Sequence, residues 1–335
     1  MNITVKVMGS AKRKRITNQK KGQSNSEGVK KVEEIDLSNY DSRINEKSSW
    51  AMEKIMEDKG FDTFEDADEF IKGAVGSGEM DKYEPKSPED KAQMLAYDAI
   101  SKKGEERRKM ALEALEINSN CADAYVILAE LEKNKQKKME LYQKGVDAGR
   151  KTLGDAIFAK EKGNFWYIVS TRPFMRAMEG LAFLKWGLGN LDEVEKILEE
   201  ILELNPDDNQ GMRYFLFILY MQKNKIDDAE KLINAYADEE SATWEYNKAL
   251  LLYTRSGITM QSKRAIRSAF DSNKYVPAMM ITGKALPRDR GFISPGQPDE
   301  AASYIKECGP LWVRDKGALK WLVEEYLEYH DRGKI

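Results

Sequence analysis

Three stretches of this chain end alike: "ALEALEINS" reaches Asn118, "ILEEILELNP" reaches Asn205 and "AIRSAFDSNK" reaches Asn273. Asn205 and Asn273 stand 68 residues apart, twice 34, and a fixed period of that length marks a repeated helix–turn–helix. One such hairpin cannot bury its own apolar face, whereas stacked copies bury a continuous seam. The spacing predicts an all-α fold: an α-α superhelix of antiparallel helix pairs.

Thirty-four residues is the tetratricopeptide period. The stretch from Ser170 to Gln210, "STRPFMRAMEGLAFLKWGLGNLDEVEKILEEILELNPDDNQ", fits its register. Met178 takes the large first position, Leu181 and Ala182 the Leu-Gly pair, Gly189 the turn, and Val194, Leu198, Ile201 and Pro206 the second helix. Lys185 stands where an aromatic is usual. The next repeat keeps a turn residue at Asn224 and a small residue at Ala229, each 35 positions on. Small side chains at Ala182 and Ala229 let helices approach, while Leu181, Leu198, Ile201, Phe215 and Leu219 fill the seam. Trp166, Trp186 and Trp244 read as core.

Composition narrows the chemistry. Hydrophobic residues make up 41% and charged residues 33%, and the longest apolar run, "YFLFILYM" from Tyr214, falls far short of the roughly 20 residues needed to cross a bilayer. The N-terminus places its basic residues after a short apolar patch, the reverse of a secretory signal, so a cytoplasmic location is expected. Cys121 and Cys308 are the only cysteines and read as small buried residues. His330, the single histidine, sits near the end of a helix, where it suits the last carbonyls. Triads and histidine-based zinc sites need histidines this chain lacks. With no glycine-rich phosphate loop either, no cofactor, metal site or catalytic residue is expected. An enzyme using carboxylate-bound metal is the weakest alternative.

The chain divides by charge and pattern. Residues 1–33 carry nine Lys/Arg against Glu27 and Glu33, a net of +7, which leaves −10 for the remainder of a chain whose total is −3. Residues 1–45 read as a basic tail too polar to bury a core. Lys12, Arg13, Lys14 and Arg15 are its candidate nucleic-acid contacts, with plain solvation as the simpler alternative. A short helical segment follows at 46–75, with Trp50, Ile55 and Met56 near one face, then a linker at 76–88. Helical repeats fill 89–275, a proline-rich loop 276–298, and capping helices 299–331, beginning as Asp299 to Lys306 and Lys316 to Tyr329.

Two motifs, "FWYIVSTRPFMRAMEGLAFLKWGLG" and "LNPDDNQGMRYFL", resemble the "FW...ETRPYMRA...LW.LG" and "LNPNDNQGIRYLL" patterns of a family of prokaryotic tetratricopeptide proteins. The C-terminal "NKYVPAMMITGKALP" and "DEAASYIKECGPLWVRDKGALKWL" are similar to the end of the suppression-of-tumorigenicity-seven proteins. The resemblance spans residues 87 to 325 and implies the repeat fold without implying an activity. Ser170 departs from it, since the family usually has Glu there.

Pro173 suits a first helical turn, and Arg172 and Arg176, four apart, project from nearly one face. Asp207, Asp208 and Asn209 can cap the following helix. One reading is structural, with these arginines paired to acids or carbonyls. The other is functional: first helices of successive repeats line one face, and Arg172, Arg176, Asn209, Gln210 and Arg213 would there bind a peptide carboxylate or acidic side chain. The sequence therefore points to a non-catalytic protein-protein interaction scaffold taking a peptide or partner helix.

Overall fold

The three asparagines that end alike in sequence also end alike in space. In the computed structural model, which describes residues 41–61, 63–78, 80–283 and 293–331, each stands just past a helix with its backbone turned out of the helical region, at φ −142°, −141° and −158°. Each amide donates to the carbonyl four residues back, on Ala114, Ile201 and Ala269. Two of the side chains then fix the turn beyond: Asn118 Oδ1 accepts from the Asn120 amide at 2.9 Å, and Asn273 Oδ1 from the Tyr275 amide at 3.0 Å. The shared ending is thus a helix stop that starts the next turn.

Among the described residues all regular structure is helical. The helices fall into two compact units, Asp41–Met212 and Arg213 onward. In the first, α1 (Glu46–Lys59) and α2 (Phe64–Ala74) precede three antiparallel pairs. These are α3 (Pro88–Ile100) with α4 (Gly104–Ile117), α5 (Ala122–Leu131) with α6 (Lys135–Lys160), and α7 (Arg172–Gly187) with α8 (Leu191–Leu204). The first helices α3, α5 and α7 lie side by side, and α6 packs against both α5 and α7. Ser87 opens the series with a capping box, exchanging hydrogen bonds with Asp90 ahead of Pro88 in the first turn. Helix α6 bends at Gly154, whose φ of +67° no other residue type adopts cheaply.

Packing follows the predicted register. Val194 and Ile201 are fully buried, Leu198 and Ala182 are 1% exposed, and Gly180 meets Tyr142 of α6 so closely that a methyl group would collide with the ring. The turn residues Gly189 and Asn224 share left-handed backbone, φ +82° and +56°. Asparagine tolerates that conformation better than most side chains. Phe215 differs from expectation: it is half-buried, and Leu216 and Phe217 take the core instead. Trp166 and Trp186 are half-buried as well, while Trp244 is 1% exposed.

The second unit holds most of α9 (Met212–Gln222), then α10 (Ile226–Ala235), α11 (Ala242–Ser256), α12 (Met260–Ser272), α13 (Tyr275–Thr282), α14 (Pro298–Arg314) and α15 (Lys316–Asp331). Helix α11 is central, touching α10, α12, α14 and α15. Tyr253 stacks on Trp321 at 4.8 Å and Tyr246 packs on Tyr304 at 5.2 Å. Buried Glu300 holds this unit together by accepting from the Ala242 and Gly296 amides and from Asn273 Nδ2.

Three boundaries differ from the sequence reading. Residues 42–45, placed in the tail, form a 3-10 turn capped by Asp41. The proline-rich stretch begins as helix, since Pro277 falls in the first turn of α13, where its missing N–H is no loss. Its centre, 284–292, lies outside the described residues. Helix α14 runs on past Lys306 through Pro310, which faces solvent.

Candidate functional site

A ladder of polar side chains crosses α3, α5 and α7. Gln93 Nε2 donates to Asp123 Oδ2 at 2.7 Å. Arg176 grips the same carboxylate with two prongs, Nε to Oδ1 at 2.9 Å and Nη2 to Oδ2 at 2.7 Å. Its third prong, Nη1, reaches Glu46 Oε2 of α1 at 2.6 Å. Asp123 is 1% exposed, and Arg176 and Glu46 are 9% exposed. Burial alone would raise the Asp123 carboxyl, but the Arg176 guanidinium outweighs it and holds the pKa below the ordinary carboxylate value. Burial likewise opposes the Arg176 charge, and Asp123 and Glu46 reverse that too.

Around this ladder, α1 is fixed through one face. Trp50 is 2% exposed and sits among small residues such as Ala92 and Ala96, with its ring edge-on to Tyr83 at 5.7 Å and tilted on Tyr97 at 6.0 Å. Glu53 accepts from the Val169 and Ser170 amides at 2.6 and 3.0 Å. Those amides precede α7, where free N–H groups favour an anion. At Ser170, where the resembling family usually has Glu, this chain thus brings a carboxylate from α1 to the backbone. Arg43 reaches Glu130 of α5 at 2.8 Å and Lys47 reaches Asp98 of α3 at 2.5 Å. The expected face differs: Trp50, Ala51 and Met52 are buried, while Ile55 and Met56 are only half-buried.

The residues singled out in the sequence separate into distinct settings. Arg172 donates to the Trp166 carbonyl at 2.9 Å and to Glu46 at 3.4 Å, with its guanidinium 5.1 Å from the Trp166 ring. Gln210 is buried and donates to Glu179 Oε2 at 2.6 Å. Asn209 donates to Asn205 at 3.1 Å, and of the proposed cap only Asp208 serves α9, accepting from the Met212 amide at 2.6 Å. Arg213 belongs to the second unit, where it pairs with Glu239 and lies 4.4 and 5.1 Å from the Tyr214 and Tyr236 rings. The arginines are therefore engaged within the chain, as the structural reading has it. Lys12, Arg13, Lys14 and Arg15 lie outside the described residues.

Sequence reasoning missed Glu46, Glu53, Asp123 and Glu179. Asp123 carries a signal, being an acid set among the small and apolar residues that open "CADAYVILAEL", with seven of that helix's residues buried around and including it. Burial raises Glu179 to about 7, against the lowering pull of Gln210 and Arg176. Burial also pushes the Cys121 thiol up to about 12 and Cys308 upward, so neither is an activated nucleophile. Among the described residues no group of three or more His, Cys, Asp or Glu is placed to hold a metal, and no helix is long and apolar enough to cross a membrane.

A family model described as "Tetratricopeptide repeat" matches residues 177–251. A "Suppressor of tumorigenicity 7 protein-like" from Danio rerio is 25% identical over 264 residues, covering 70% of this chain and 44% of that protein. The Homo sapiens protein of the same description is 25% identical over 239 residues, covering 64% and 42%. The chain thus spans less than half the length of the curated relatives it matches. Among solved structures, "Crystal structure of YrrB: a TPR protein with an unusual peptide-binding site" aligns with a TM-score of 0.39 and 16% identity, covering 59% of this chain and 90% of that one. Residues 177–251 thus match the tetratricopeptide repeat within an all-helical fold, and the chain is similar to the suppressor of tumorigenicity 7-like proteins.

Proposed function

We propose that the chain is a non-catalytic protein-interaction scaffold whose binding surface is the face formed by α3, α5 and α7. One observation carries the reading: that face already accommodates a helix through side chains, with a carboxylate on Arg172 and Arg176 of α7 and an indole against Tyr97 of α3, flanked by Tyr83 from the segment before α3. Helices that dock in grooves use this combination of an apolar anchor and flanking charges. The two deeply buried cysteines and the paired carboxylates favour binding over catalysis.

The reading is tested with a photoreactive residue in the full chain, placed at Phe183 of α7, one turn beyond Glu179, or at exposed Leu112 of α4 as control. Adducts identified by mass spectrometry should contain a partner protein at 183 and not at 112. Absence of any adduct at 183 in both the full chain and its Trp50→Ala variant, or the same set at both positions, refutes the surface.

A further inference from the structure

Helix α1 meets the repeats as a bound peptide would. Glu46, Trp50 and Glu53 fall at i, i+4 and i+7, one stripe of a helix, and each has its own receptor: the paired arginines, the Tyr83–Tyr97 cleft and the amides before α7. The rest of the helix is half-buried or exposed beyond Met52. A cleft lined by Lys47, Ser48, Met80, Tyr83, Pro85 and Met94 runs beside it, so its flank is not sealed.

What connects α1 to the repeats is thin. Among the described side chains of α2 only Ala74 is buried, and left-handed glycines at Gly60, Gly76 and Gly78 punctuate the stretch before α3. The repeats also keep their own charges in balance without α1. Asp123 holds Arg176 by two hydrogen bonds, and Arg172 retains the Trp166 carbonyl. Departure of α1 would uncover a cleft and a charged notch without leaving either arginine bare.

From these observations we infer that α1 is a ligand held in cis, covering the surface by which the scaffold binds, and that the partner is a helix presenting two carboxylates seven residues apart with a large aromatic between them. The inference rests on the α3–α5–α7 reading above. Charge complementarity selects such a partner, because Arg172 and Arg176 together exceed Asp123 by one positive charge and the amide pair favours a second anion, while the cleft takes an aromatic ring. Tethering gives α1 the advantage of high effective concentration, so a free helix of equal chemistry competes poorly until the tether is cut or α1 is weakened.

The test uses the full chain with a protease site inserted between Ser77 and Gly78, and a fluorescein-labelled peptide of residues 41–60 as probe. Cutting should leave the repeats folded, release the N-terminal fragment on dilution, and tighten probe binding by about tenfold or more, as loss of tethering requires. The uncut Trp50→Ala chain should gain affinity for the probe in the same direction, and a probe carrying Glu46→Gln, Trp50→Ala and Glu53→Gln should not bind. A fragment that stays bound while the probe gains nothing overturns the inference, and so does loss of the cooperative melt on cutting, since α1 would then be a fixed part of the fold. If crosslinking at 183 succeeds while this test fails, the scaffold stands and only cis occupancy falls. If the probe binds after cutting but no partner crosslinks even with Trp50→Ala, the scaffold reading falls and takes the partner with it, leaving only α1 as a detachable helix.

Discussion

Replacing Arg176 with Ala removes the one cation between two buried acids. Asp123, 1% exposed, then has only Gln93 as a polar partner, and Glu46 keeps only the longer contact to Arg172 at 3.4 Å. Breaking a buried ion pair on one side costs about 3–5 kcal/mol. Gln93 remains in place and α1 can tilt Glu46 toward water, so the lower end, about 3 kcal/mol, is expected. Acidity should modulate this. In the wild type the Asp123 pKa is depressed, so its contribution is present above the ordinary carboxylate value and is lost as pH falls through the folded one. In the variant the same carboxyl is buried without a counter-ion, its pKa rises, and protonation relieves the strain on acidification. The gap between the two proteins should therefore narrow from pH 7.5 to pH 4.5. Urea unfolding followed by circular dichroism at both values measures it, and Asp123→Asn added to the variant should restore much of the loss. A loss under about 1 kcal/mol at pH 7.5, or one unchanged by acid, would refute the buried-pair reasoning.

Glu179 gives the opposite sign. Its folded pKa is raised to about 7 from the ordinary 4.5, so the stability it confers is full below 4.5 and is lost as pH rises through about 7. The side chain is only half-buried, so Glu179→Gln should stabilise the chain at pH 8 by about 1–3 kcal/mol and leave it unchanged at pH 4.5; a variant that is weaker at pH 8 contradicts this. Gly180→Ala should cost about 1–3 kcal/mol through the Tyr142 ring despite the better helix propensity of alanine. An unchanged melting temperature would mean α6 and α7 are less tightly apposed than described. Leu198→Ala, at a site 1% exposed, should cost about 2–5 kcal/mol in the same melt, and near-native melting would remove Leu198 from the seam.

What the sequence reveals is what repeats. Leu181, Val194, Leu198 and Ile201 are buried because their spacing obeys the helical period, and Asn224 replaces Gly189 because the turn needs left-handed backbone at both. The site does not repeat. Glu46 finds Arg176 across 130 residues, and no local pattern announces a pairing of that range. Arg172 and Arg176 were visible as a pair; that an acid of the same chain occupies them depends on where α1 turns. Pro310 misleads for a related reason, because a proline usually ends a helix but can be passed where the freed carbonyl meets water.

The separation of Glu46 from Arg176 also sets an order of events on the ribosome. Helix α1 is made first, and at roughly 5–20 residues per second its arginine follows between roughly 6 and 26 seconds later. Throughout that interval Glu46 lacks Arg176, and the growing repeats present an uncovered face to whatever else is near the tunnel exit. A stalled chain ending within α6 should leave Trp50 open to an aqueous quencher, and one extending well beyond α8 should protect it. Equal quenching in both would mean that α1 finds its seat on α3 and α5 alone, before the arginines exist.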